Sequence, residues 1–182
     1  MKKIILLIFL ATALNSCGLV EINGLSDDYK KLTDEQKEMF ELFKQNEDLD
    51  KNKIYRITAD QLKEELEKYP KALVYVFTNG CPSDFCKPLY IYEKWAKENN
   101  YELFLVMRSY ANLKETTDQK YSGNLYVINS DFYGKKAFMR YSVFFENELK
   151  GLDKKAKENW EGGLFFYENG NYVKTLMDLP AE

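Results

Sequence analysis

Six consecutive apolar residues, Ala72-Leu73-Val74-Tyr75-Val76-Phe77, run without a polar break between Pro70-Lys71 and the turn-forming Thr78-Asn79-Gly80. A strand that covers one sheet face alternates apolar with polar residues. An unbroken run predicts a strand buried on both faces, and such a strand needs a packed layer on each side. Glu102–Met107 repeats the pattern, and Leu125-Tyr126-Val127-Ile128 is a third, shorter run.

The segments around these runs have helical spacing. Phe85, Leu89, Tyr92 and Ala96 share one face opposite Glu93, Lys94, Lys97 and Glu98, and Asn99-Asn100 ends the pattern. Phe138, Tyr141, Phe145 and Leu149 space another helix, closed by Gly151. Two capping-box patterns predict helix starts. Thr58-Ala59-Asp60-Gln61 opens a helix carrying Leu62, Leu66 and Tyr69 and closed by Pro70; Thr33-Asp34-Glu35-Gln36 opens one with Met39, Phe40 and Phe43 along a face. Near the end, Leu164–Tyr167 and Tyr172–Leu176 flank Asn169-Gly170. That dipeptide predicts a hairpin, because a type I′ turn requires positive φ at both central residues. Buried strands linked by helices, closed by a hairpin, predict an α/β fold: a mixed central sheet flanked by helices with a C-terminal β-hairpin.

The division expected along the chain is residues 1–16 as an export signal, 17–52 as a tether with one helix, and 53–182 as the main domain. Lys2 and Lys3 precede an apolar run, Ile4–Leu14, that is too short to cross a bilayer core of ~30 Å as a helix. Leu14-Asn15-Ser16-Cys17 resembles a bacterial lipobox. The resemblance implies cleavage before Cys17, acylation of its thiol, and a lipid-anchored protein of the cell envelope facing the periplasm. Without residues 1–16, 24 bases stand against 29 acids, a net charge of −5. An acidic chain lacks the cationic footprint that binds phosphates, so no nucleic-acid partner is expected.

The chain has no histidine. This excludes Ser-His-Asp and Cys-His nucleophilic sites, imidazole metal cages and histidine pH switches. A closed zinc site takes four Cys or His ligands, and only Cys81 and Cys86 remain beside Cys17. Twelve Phe and fourteen Tyr fill the core on the plain reading, with Trp95 and Tyr75 among the core residues; the sharper alternative is a peptide groove near Tyr90, Tyr92, Phe132 and Tyr133.

The order of these pieces resembles the thioredoxin fold. In that family a buried strand runs into a cysteine motif whose second cysteine sits in the first turn of a helix, and a β-hairpin follows near the end. Cys86-Lys87 is similar to the cysteine-lysine step that closes the family motif, and Gly163-Leu164-Phe165-Phe166-Tyr167-Glu168-Asn169-Gly170 to its apolar strand and Asn-Gly turn. The resemblance covers about Lys53 to Asp178. The chain departs from the family's redox members at three positions. Four residues, Pro82-Ser83-Asp84-Phe85, separate the cysteines instead of two; Gly162 falls where the family has a cis-proline; and Tyr75 falls where classical members bury a carboxylate. No final helix follows the hairpin.

Two cysteines five positions apart inside one helix would set their Cα atoms about 8.6 Å apart, beyond the ~7 Å that a disulfide spans. Cys81 is therefore expected in the loop. Cys81-Pro82-Ser83-Asp84 suits a type I turn, with Ser83 or Asp84 as helix N-cap. A Cys86 in the first helical turn would feel the macrodipole, with Lys87 adding to that effect and Asp84 opposing it. Three uses stay open for the pair: thiol–disulfide exchange with protein thiols or disulfides of the envelope, a structural bond in a redox-inert binding module, or capture of Cu(I) by two thiolates. Exchange is the leading expectation, with Cys81 attacking and Cys86 resolving. It requires neither cofactor nor metal.

Overall fold

The computed structural model describes residues 25–134, 137–157 and 159–180. The expected signal 1–16 and the candidate lipidation site Cys17 lie outside them. The described chain is α/β. Its strands are β1 Phe40–Leu42, β2 Ile54–Ile57, β3 Lys71–Phe77, β4 Glu102–Met107, β5 Leu125–Ile128, β6 Leu164–Glu168 and β7 Asn171–Leu176. Its helices are α1 Asp34–Glu38, α2 Ala59–Leu66, α3 Leu89–Glu98, α4 Leu113–Thr117 and α5 Phe138–Leu149.

All seven strands join one mixed sheet in the order β1-β2-β5-β4-β3-β6-β7. The first five run parallel, β6 pairs antiparallel with β3, and β7 pairs antiparallel with β6. Strand β3 lies between β4 and β6, with Val74 opposite both Phe104 and Phe165. Its apolar run alternates between two cores, as a period of two requires. Ala72, Val74 and Val76 face a layer containing Leu62 and Leu66 of α2 and Tyr141, Phe145 and Leu149 of α5. Leu73, Tyr75 and Phe77 face Leu89 and Tyr92 of α3 and Leu113 beside them. The hairpin forms at Asn169-Gly170, with φ of 49° and 77°.

Both capping boxes form. Thr33 and Thr58 each accept from the backbone N–H of Gln36 and Gln61, whose side chains bond back. Helix α1 nevertheless stops at Glu38, correcting the expected helix through Phe43. The edge of the sheet competes for that backbone: Ile54 donates to the Met39 carbonyl at 2.8 Å and Phe43 donates to Arg56 at 3.0 Å. Phe40 then enters one core and Phe43 the other. The sheet thus begins before residue 53, and part of the expected tether is its edge strand. Strand β2 and helix α4 lacked a sequence signal, being four and five residues long.

Candidate functional site

Cys81 and Cys86 are joined in a disulfide, with Cα atoms 6.0 Å apart. The bond lies beyond the C-terminal end of β3, where the parallel strands hand over to their helices. Both cysteines are half-buried, so exposure does not single out Cys81, the sulfur expected to attack.

The Cys81 side is fixed from below. Asn79, 3 % exposed, donates to the Ser109 and Ala111 carbonyls at 3.1 and 2.8 Å and accepts from the Thr116 hydroxyl at 2.6 Å. These bonds tie the loop leaving β3 to the segment after β4. Gly80 follows with φ of 65°, and a Cβ there would lie 3.1 Å from Glu115 Cγ. Glycine meets both demands at once.

The Cys86 side departs from the sequence reading. The turn closes two residues later than expected, with the Cys86 N–H donating to the Ser83 carbonyl at 2.9 Å. Helix α3 starts at Leu89, with Pro88 as its N-cap and no side-chain cap. Neither Ser83 nor Asp84 caps it; the Leu89 N–H instead donates to Gln119 Oε1 at 3.0 Å. Cys86 is thus outside the first helical turn, where the macrodipole effect is concentrated. The Lys87 ammonium pairs closely with Asp178, whose carboxyl it holds below the usual range. The Tyr92 hydroxyl accepts from the Lys87 N–H at 3.2 Å and donates to the Phe85 carbonyl at 3.0 Å.

Two clefts meet at the disulfide, and Tyr75, Phe77, Thr78, Cys81 and Cys86 border both. One, of about 320 Å³, is polar on its far wall, with Lys87, Glu115, Thr116 and Gln119. The other, of about 350 Å³, is walled by Phe85, Trp160 and Met177, all exposed, with Arg108 among its lining residues. Arg108 Nε donates to Glu146 Oε1 at 2.9 Å; its Nη2 stands 2.7 Å from the same oxygen without a hydrogen-bonding angle. Burial pushes the Glu146 carboxyl upward, against the lowering effect of the Arg108 charge.

At the position expected to depart from proline, Gly162 has φ of 138°. A Cβ there would fall 2.2 Å from the Leu176 carbonyl oxygen, and one on Gly163 would fall 2.5 Å from that of Val76. Both are closer than any side chain allows, and Gly163 borders the apolar cleft as bare backbone. Tyr75 is a core residue, stacked on Tyr92 with ring centres 4.0 Å apart. Burial pushes its phenol above the ordinary range, so it stays in its neutral form.

The aromatic groove considered from sequence does not assemble. Tyr92 and Tyr133 are buried with bonded hydroxyls, Tyr90 borders a shallow groove with Tyr101 and Ser122, and Phe132 stands in the turn after β5. Phe85, Trp160 and Met177 form the aromatic and apolar wall instead. Trp160, beside Glu161-Gly162-Gly163, was not singled out from the sequence. Among the described residues no three His, Cys, Asp or Glu side chains converge as a metal site. No protein-family model, curated protein or solved structure matches the chain.

Proposed function

We propose that the chain is a thioredoxin-like protein of the bacterial cell envelope that exchanges disulfides with protein substrates through Cys81 and Cys86. What carries this reading is the placement of the bond: it forms the partition between two clefts and is reached from either one. A structural staple needs no such access. The fold reading is supported by a central strand running into the cysteines, a helix after them, and an antiparallel hairpin beside that strand.

In the reducing direction the Cys81 thiolate attacks one sulfur of a substrate disulfide, and the other substrate sulfur leaves as a thiolate. The Cys86 thiolate then attacks Cys81 Sγ and expels the first substrate sulfur. The substrate gains two electrons and the chain closes its own bond. Run backwards, the same steps oxidise a substrate dithiol. Cys86→Ala should therefore accumulate a mixed disulfide through Cys81, and Cys81→Ala should trap none. Equal trapping by both variants would refute the roles. A reduction potential below about −300 mV with no trapping would refute the activity.

A specific pair of observations favours a second reading, a binding module with a structural disulfide. Cys86 lies outside α3, away from the helix end, and the Lys87 ammonium is paired with Asp178, so the two positive features expected beside that sulfur are placed elsewhere. The same potential measurement separates the two.

The lipid anchor at Cys17 is part of the proposal and rests on Leu14-Asn15-Ser16-Cys17. No described helix is long and apolar enough to cross a membrane. Cys17→Ser should leave the precursor unprocessed or release the protein from the membrane fraction. Unchanged fractionation and migration would refute the anchor.

A further inference from the structure

The apolar cleft beside the disulfide is lined by a single charged group among the described residues, the guanidinium of Arg108. Arg108 follows β4 directly, and the fold pins its backbone on both sides. Its N–H donates to the Phe77 carbonyl at 2.8 Å, and its carbonyl accepts from the Tyr141 hydroxyl at 2.8 Å. The Cys81 arm is tied to this same segment, because Asn79 donates to the carbonyls of Ser109 and Ala111. Cation and sulfur thus belong to one rigid frame.

Glu146 holds the guanidinium side-on. Nε and Nη2 stand 2.9 and 2.7 Å from its Oε1, and Nη1 makes no hydrogen bond among the described residues. The ion pair also has a direction. Arg108 borders the cleft of the sulfurs, whereas Glu146 borders the depression beside Val143 and Asn147. With side chains 13 % and 12 % exposed, the pair is screened little by water. Its positive end meets the sulfurs' cleft, and its negative end meets another surface.

The other charges nearby are engaged or turned away. Lys87 pairs with Asp178, Lys150 pairs with Glu161, Glu115 borders the polar cleft, and the exposed Asp84 borders neither cleft. A thiol ionises more readily beside a fixed cation, and the effect grows where water is excluded. Arginine keeps its charge at every pH at which a thiol titrates. We propose that Arg108, oriented by Glu146, is the positioning residue that stabilises the Cys81 thiolate. Its part in exchange rests on the function proposed above; the ionisation of the thiol does not.

The test titrates one sulfur. The chain from residue 17 onward, with Cys17→Ser and Cys86→Ala, keeps Cys81 as its one thiol. Its rate of alkylation by iodoacetamide is followed against pH, because the thiolate is the form that reacts. Adding Arg108→Met should raise the midpoint by about one unit. Adding Glu146→Gln, which removes the counter-charge and keeps the cation, should lower it. A role in packing alone would move both variants in the same direction or neither. An unchanged midpoint in Arg108→Met, or one that does not fall in Glu146→Gln, would overturn the proposal, and the second variant decides alone if the first does not fold. No substrate enters the measurement. Opposite shifts in a chain that traps no partner would therefore refute exchange and leave the thiolate assignment standing.

Discussion

The two arms that carry the disulfide are built differently. The Cys81 arm, Thr78–Gly80, is held by a buried amide that satisfies two carbonyls and one hydroxyl thirty or more positions away. The Cys86 arm, Phe85–Pro88, is held by turn bonds to its own neighbour Ser83, one tyrosine hydroxyl and a half-exposed ion pair. Buried hydrogen bonds are costly to break because the groups left behind stay dry, whereas exposed ones exchange with water. This difference predicts that, once the bond opens, the Cys81 arm keeps its place and the Cys86 arm yields. This division suits a fixed attacking sulfur and a resolving sulfur that must approach it.

Substitutions can break that asymmetry. The largest effect belongs to Asn79→Ala, which leaves the Ser109 and Ala111 carbonyls and the Thr116 hydroxyl without their partner. It should destabilise the fold by about 3 kcal/mol, read by denaturant unfolding. Tyr92→Phe removes the one hydroxyl bridging Lys87 and Phe85 and should cost about 1 kcal/mol. A cost equal to that of Asn79→Ala would show that the arms are held alike. The smallest effect is that of Lys87→Met, at most about 0.5 kcal/mol, because both partners are substantially exposed. Its sign with pH is fixed. Lys87 lowers the folded-state pKa of Asp178, so the pair stabilises the fold above the ordinary carboxylate range. The contribution is lost as pH falls through the lowered value. Parent and variant should therefore converge in acid; a difference that persists there would assign the effect to packing of the lysine stem.

What could be read from the sequence divides along the same line. The buried run 72–77, the Asn169-Gly170 turn and the capping boxes at Thr33 and Thr58 each depend on neighbours within a few residues, and each formed. Helix α3 was expected to start at Phe85 and starts at Leu89, because its cap is Gln119, thirty positions on. The expected α1 lost Phe40 to strand β1 because Ile54 and Arg56 compete for that backbone. The site follows this rule closely. The cysteine pairing needed only local geometry, whereas Asn79, Arg108 and Trp160 acquire their roles from segments that the fold alone brings together.

The place of β3 in the sheet also fixes an order of events during folding. Its neighbour β4 follows after one helix, but β6 arrives half the chain length later, with Val74 opposite Phe165. Loop-closure entropy delays such a pairing, and until it forms β3 offers an apolar edge on which other chains can add. The cysteines are only five positions apart and can join in a chain that has no sheet at all. Oxidation state therefore does not report on completed folding. Truncation before Leu164 should yield a product that still closes its disulfide yet collects as insoluble aggregate, with the hairpin acting as the seal on an otherwise sticky intermediate.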